Sequence, residues 1–337
     1  MMQKKYIITG ILVLTVVLLI CYFSFSNKKY HFQISTRLSG QNDPSIKVKI
    51  QGHKYPLRID LGSKLELELS KSTLNLLDKT PHKSLTTRDM TGRPYENPAH
   101  VIPSIEINGL VFDQVVTIEE NVDYISNTTF YEGDKKNTLI YKNTSGTIGS
   151  ALFADKNLLL DFDYSLFFVS NDVSKLKVKG YDLKEFIKLP YTRYKHGIIL
   201  KVNTEFGEIR LALDTGCTVN FLRSSFASHI KPVGKRFGLP FITTSTFEMG
   251  GKDFGPMNLY PYDISSDLSD MDGMLGMDFL IDHVVYIDRD HQQIYIQKSK
   301  DLPEMPITAN IPYSSFNNVV SKYMNASFLS KILKSSN

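Results

Sequence analysis

Two stretches 154 residues apart constrain this chain more than anything else in it. Leu57-Arg58-Ile59-Asp60-Leu61-Gly62-Ser63 and Leu211-Ala212-Leu213-Asp214-Thr215-Gly216-Cys217 each read as an alternating apolar strand that delivers an acid into a glycine-containing turn. At the same offset Leu65 and Leu67 fall opposite Val219 and Phe221. One Asp-x-Gly turn says little, because such tripeptides are ordinary turn chemistry. Two in matching settings imply a duplicated architecture.

A second pair of blocks extends the duplication. Gly146-Thr147-Ile148-Gly149-Ser150-Ala151-Leu152-Phe153 aligns without a gap, at an offset of 127, with Gly273-Met274-Leu275-Gly276-Met277-Asp278-Phe279-Leu280. Each block leads into an apolar strand, Leu158-Leu159-Leu160-Asp161 and Val284-Val285-Tyr286-Ile287-Asp288. The halves also begin alike, with Ile46-Lys47-Val48 matching Leu200-Lys201-Val202 at the first offset. They therefore share one order of elements and differ chiefly by 27 residues (154 − 127) between acid turn and glycine block. A unit this long is a whole lobe, not a solenoid repeat.

Between these landmarks lie short alternating segments separated by Gly, Asn, Asp and Pro, the texture of an all-β barrel or sandwich. Asn108-Gly109 predicts a hairpin turn. The lobes run over 45–170 and 190–300, joined by a Lys-rich connector over 171–189. Residues 27–44 read as a polar tether. The tail, 301–337, carries apolar residues from Phe316 to Leu333 at helical spacing and predicts a terminal helix docked on the body.

The N-terminus is different in kind. Ile7 to Phe25 is an uncharged run of 19 residues, about 28 Å long as a helix, enough to cross a hydrocarbon core. Lys4 and Lys5 precede it, and Lys28 and Lys29 follow. A cleaved signal peptide is the rival reading, but no small-x-small site follows the run. Residues 1–26 are accordingly expected to be a retained signal-anchor. The chain is then a single-pass membrane protein with its folded part outside the cytoplasm.

Charge and side-chain chemistry exclude several classes. The net charge of +4 comes without a long basic run, so no nucleic-acid partner is implied. The eight histidines lack ligand-like spacing, and Cys21 and Cys217 form no disulfide framework; neither a metal nor another cofactor is expected.

With both motifs in hand, the chain resembles the bilobed aspartic peptidases of the pepsin type, and each lobe resembles one protomer of the retroviral-type (retropepsin) enzymes. The resemblance covers about residues 45–300 and rests on Asp60-Leu61-Gly62-Ser63, Asp214-Thr215-Gly216-Cys217 and the blocks at Ile148-Gly149 and Leu275-Gly276. It implies two pseudo-symmetric acid-protease β-barrel lobes paired within one monomeric catalytic unit, with a peptide or protein as substrate. It also implies an aspartic endopeptidase whose water is activated between Asp60 and Asp214 without a covalent intermediate. Two such carboxyl groups share one proton, the charged one acting as base and the neutral one as acid.

Gly62 and Gly216 let the loop backbone approach the carboxylates, with Ser63 and Cys217 beside them. The Thr after each acid bonds across the lobe interface in this family; Thr215 has the hydroxyl for it, whereas Leu61 has neither donor nor acceptor. Leu61 therefore supports the rival reading, an inactive protease-fold protein that binds peptides or serves as a membrane-anchored scaffold. The family's flap falls at Thr86 to Val101, with Tyr95 as its aromatic, and Gly250-Gly251 marks the equivalent second-lobe turn.

Overall fold

The structure is a computed structural model. It describes residues 31–35, 37–39, 43–120, 129–132, 135–138, 145–162, 166–170, 176–177, 180–194, 197–236 and 238–299. The expected N-terminal anchor and the C-terminal helix lie outside these residues. Among the described residues no helix is long and apolar enough to cross a membrane.

Each half folds into a β-lobe in which the acid-bearing strand is central. In the first, His53–Asp60 pairs antiparallel with Asp43–Ile50 and parallel with Gly146–Gly149. Gly146–Gly149 in turn lies antiparallel to Leu67–Leu69. The sheet continues through Leu110–Glu119, Pro94–Ile107 and Thr80–Arg88, and curls shut where Lys49 and Ile50 pair with Glu106 and Ile105. The second half repeats the plan: Gly207–Leu213 lies between Gly197–Thr204 and Gly273–Leu275, and Asn203 closes on Glu248. Alternation drives the curl, because Leu57, Ile59, Leu211 and Leu213 all point into one apolar core that runs through both lobes.

A six-stranded sheet underlies both lobes. Its order places Leu158–Asp161 and Leu166–Ser170 from the first half against His283–Asp288 and Gln293–Lys298 from the second. Side chains stitch the seam: Asn157 accepts the Arg289 N–H (2.7 Å) and donates to Asp290 (3.0 Å). Asp161 accepts from Tyr181 and Asp288 from His291, so these acids serve structure.

Four expectations need correction. The stretch 27–44, read as a tether, contains two strands. His31–Ser35 forms an edge of the six-stranded sheet against Leu166–Ser170, and Arg37–Ser39 pairs with Asp43–Ile50. The connector does the same on the opposite edge, where Ile187–Pro190 pairs with Gln293–Lys298. The turn at Gly250-Gly251 is not the flap's counterpart. Its hairpin closes the second barrel as the Asn108-Gly109 hairpin closes the first, and the flap's place is taken by Gly234–Arg236 with Leu239–Thr244. Lastly, the offset of 154 slips by one after the acid turns. Thr147 faces Glu68, while its counterpart Met274 faces Phe221, so Glu68 and not Leu67 is the partner of Phe221.

Candidate active site

The two acid turns meet at the lobe interface. A methyl group placed on Gly62 would overlap the Asp214 carboxyl, and one on Gly216 would overlap that of Asp60. Each lobe's glycine therefore forms the floor under the other lobe's acid, and no larger residue fits there. Asp60 Oδ1 accepts the N–H groups of Gly62 (3.0 Å) and Ser63 (2.9 Å). Asp214 Oδ1 accepts Gly216 N–H (2.8 Å), and its Oδ2 accepts the Cys217 thiol (2.9 Å). Each carboxyl group thus lies against the other lobe's acid turn, where the two acids feel each other's charge.

The glycine blocks brace these turns from behind. Ser150 donates its backbone N–H and its hydroxyl to Ser63 O. Leu275 O accepts Asp214 N–H (3.0 Å), Met277 N–H reaches Cys217 O (2.8 Å), and Gly276 N–H reaches the Asn220 side chain (2.9 Å). Ile148 and Leu275 are fully buried at these junctions. Cβ atoms at Gly149 and Gly276 would strike the carbonyls of Leu65 and Val219, which accounts for glycine at both places.

Half of the expected cross-lobe grip is present. Thr215 Oγ1 donates to Ile59 O (2.8 Å) and accepts Leu61 N–H (2.9 Å), spanning the interface with a buried hydroxyl. The Leu61 side chain offers nothing in return and packs into the apolar core.

The electrostatics of the two acids differ. Asp214 is 6% exposed, and burial, followed by the nearby Asp60 carboxylate, pushes its pKa up to about 7. The Cys217 thiol and the Gly216 N–H oppose that rise. Burial and Asp214 also push the Cys217 thiol well up, so it stays protonated, as a donor rather than a nucleophile. Asp60, in contrast, has Arg58 beside its Oδ2 at 3.8 Å in addition to its two N–H donors. Among the described residues no group of His, Cys, Asp or Glu is arranged to hold a metal.

The hairpin expected to be the flap is formed by Thr80–Arg88 and Pro94–Ile107. Tyr95 is not its reach across the cleft. Its hydroxyl donates to Asp89 (3.0 Å), which also accepts the N–H groups of Thr91 and Arg93, so Tyr95 staples the hairpin's own turn. Met90 makes the crossing: its carbonyl accepts Ser265 N–H (2.8 Å), and its side chain packs on the second-lobe cluster that contains Val219, Phe221 and Met274. Arg88 stands 3.7 Å from Asp267. Sequence reasoning missed Met90, Arg58 and Glu68. For Arg58 and Glu68 the available signal was a charge alternating with apolar residues along a strand, which normally marks the solvent face.

No family model and no curated protein sequence matches the chain. By structure it is similar to the crystal structure of an aspartic proteinase from Irpex lacteus, with a TM-score of 0.52 at 12% identity. The match covers 80% of this chain and 98% of that one. The fold is thus pepsin-like.

Proposed function

We propose that this chain is an aspartic endopeptidase in which Asp60 and Asp214 are the catalytic residues. The observation that carries the reading is the reciprocal fit of each acid over the other lobe's glycine, which brings two carboxyl groups into one proton-sharing pair. Asp60 accepts two N–H donors and has Arg58 alongside, while burial favours the neutral form of Asp214.

A water held between them would lose a proton to Asp60 as its oxygen attacks the peptide carbonyl carbon, while Asp214 donates its proton to the carbonyl oxygen. In the breakdown step the proton on Asp60 passes to the leaving nitrogen, and Asp214 recovers its own as the carbonyl reforms. The pair titrates as a unit, so cleavage declines as pH rises through about 7 and the shared proton is lost. Met90 bridges the hairpin to the second lobe, so a peptide must displace it or pass beneath it. The apolar run Ile7–Phe25 supports a membrane tether for the folded part.

Leu61 favours a second reading, a peptide-binding protein without turnover, because only one of the two cross-lobe grips is made. The full-length chain, offered a mixed peptide library at several pH values alongside Asp60→Asn and Asp214→Asn, separates the two. The peptidase reading expects cleavage by the parent and a loss of about 10²–10⁴-fold or more in each variant. Binding without cleavage at any pH would favour the second reading.

A further inference from the structure

A group of polar side chains surrounds the base of Asp60 and takes no direct part in the chemistry above. Arg58, 7% exposed, lies on the same strand two residues ahead of the acid. Glu68 lies on Leu67–Leu69, opposite Thr147 across the ladder. Ser63 joins the two parts: its N–H holds Asp60 Oδ1 (2.9 Å) while its hydroxyl donates to Glu68 Oε1 (2.9 Å). Glu120 closes the group through the Thr147 hydroxyl at 3.4 Å. The Ser63 hydroxyl is thereby turned toward Glu68, whereas its counterpart, the Cys217 thiol, is given to Asp214.

We propose that Glu68 is a third carboxyl group coupled to the aspartate pair through Ser63, and that together with Arg58 it sets the pH range over which the pair keeps its single proton. It is a positioning residue, since it acts on Asp60 and touches neither water nor peptide. The inference rests on the peptidase reading of the site.

The charges that face Glu68 come from every element packed on it. Asp60 and Arg58 are on His53–Asp60, Ser63 is on the acid turn, and Glu120 follows Leu110–Glu119. Burial first, then Asp60, push Glu68 up to about 7, while Ser63 and Arg58 oppose the rise. Glu120 is raised too, by burial, with Arg58 and Thr147 opposing. Glu68 thus changes charge in the same range as Asp214. Once ionised, it adds negative charge beside Asp60 and holds the shared proton to higher pH; Arg58 has the opposite effect. Removing each charge must therefore move the pair in opposite directions, which a purely structural role would not do.

Full-length protein carrying ¹³C at its glutamate carboxyl groups reads the coupling without any substrate. One signal, missing in Glu68→Gln, is expected to titrate near neutral pH, and Asp60→Asn is expected to lower its midpoint. A Glu68 signal that titrates with the surface glutamates, or one indifferent to Asp60→Asn, would overturn the proposal. In the cleavage assay the alkaline limb is expected to move down by about one pH unit in Glu68→Gln and up in Arg58→Met, and to stay in place in Arg58→Lys. Shifts of the same sign in Glu68→Gln and Arg58→Met would count against it, and should Arg58→Met fail to fold, the carboxyl titration still decides. An intact coupling with no cleavage at any pH would sink the peptidase reading while supporting the coupling itself.

Discussion

The two acid turns share a backbone and differ in almost everything that lines it. Around Asp60 stand Arg58, Ser63, Glu68 and Thr147; at the matching places around Asp214 stand Ala212, Cys217, Phe221 and Met274. Behind the second acid is an apolar cluster in which the Cys217 sulfur rests 3.4 Å from that of Met274. Behind the first is a charged network. The grip is divided the other way, with the working hydroxyl on Thr215 and the inert side chain on Leu61. A symmetric backbone thus brings the acids together, and an unlike lining tells them apart. Surroundings of unlike polarity push two carboxyl groups toward different protonation states.

The grip gives the largest test of this comparison. Thr215→Val would strand the buried Ile59 carbonyl and Leu61 N–H and is expected to cost about 2–4 kcal/mol, read from denaturant midpoints at constant slope. Leu61→Thr, which swaps buried apolar area for a second grip, is expected to stay within about 1 kcal/mol of the parent. Equal losses in the two variants would break the asymmetry.

The pH dependence of stability comes next. Glu68 has a raised pKa, so the folded state keeps a proton that the unfolded chain gives up, and its contribution is full below about 4.5 and lost as pH rises through about 7. Glu68→Gln cannot ionise. It is expected to gain on the parent by about 1–3 kcal/mol between those limits, measured as the difference in unfolding free energy. On the second-lobe side of the six-stranded sheet the sign reverses. His283, stacked on Phe279 at 4.0 Å and bonded to its carbonyl, is held neutral by burial with its pKa lowered to about 4. Its contribution is full above about 6.5 and lost as pH falls toward 4. His283→Phe is expected to be less stable than the parent at neutral pH but to lose less on acidification, as thermal melts at two pH values would show.

Much of the site was legible in the sequence, because an acid at the end of a strand and a glycine that must admit another chain leave fixed marks in the residue order. Asp60, Asp214 and their glycines come together as the duplication implies. What stayed hidden has a common cause. Arg58 alternates with Leu57 and Ile59, and alternation assigns it to solvent; in the closed, paired lobes that second face is also covered. The slip that brings Glu68 opposite Thr147 is a matter of ladder register, which a gapless alignment cannot reveal. Met90 sits in a polar turn, and nothing local distinguishes a turn that meets the other lobe from one that meets water.

The smallest expected effect separates thiol from hydroxyl. Cys217→Ser would give Asp214 a stronger donor, favour its charged form and move the alkaline limb of cleavage down by less than about one pH unit, with little change in stability.

The central claim is that the proton of the pair resides on the buried Asp214. Infrared difference spectra of the full-length chain, in a Glu68→Gln background, test it by following the carbonyl stretch of a neutral carboxyl group from about pH 5 to about pH 8. The expected result is a band that disappears about one pH unit below the parent's value of about 7, as the loss of the Glu68 charge requires, and that is absent from Asp214→Asn. A neutral carboxyl that survives Asp214→Asn and vanishes in Asp60→Asn would contradict it.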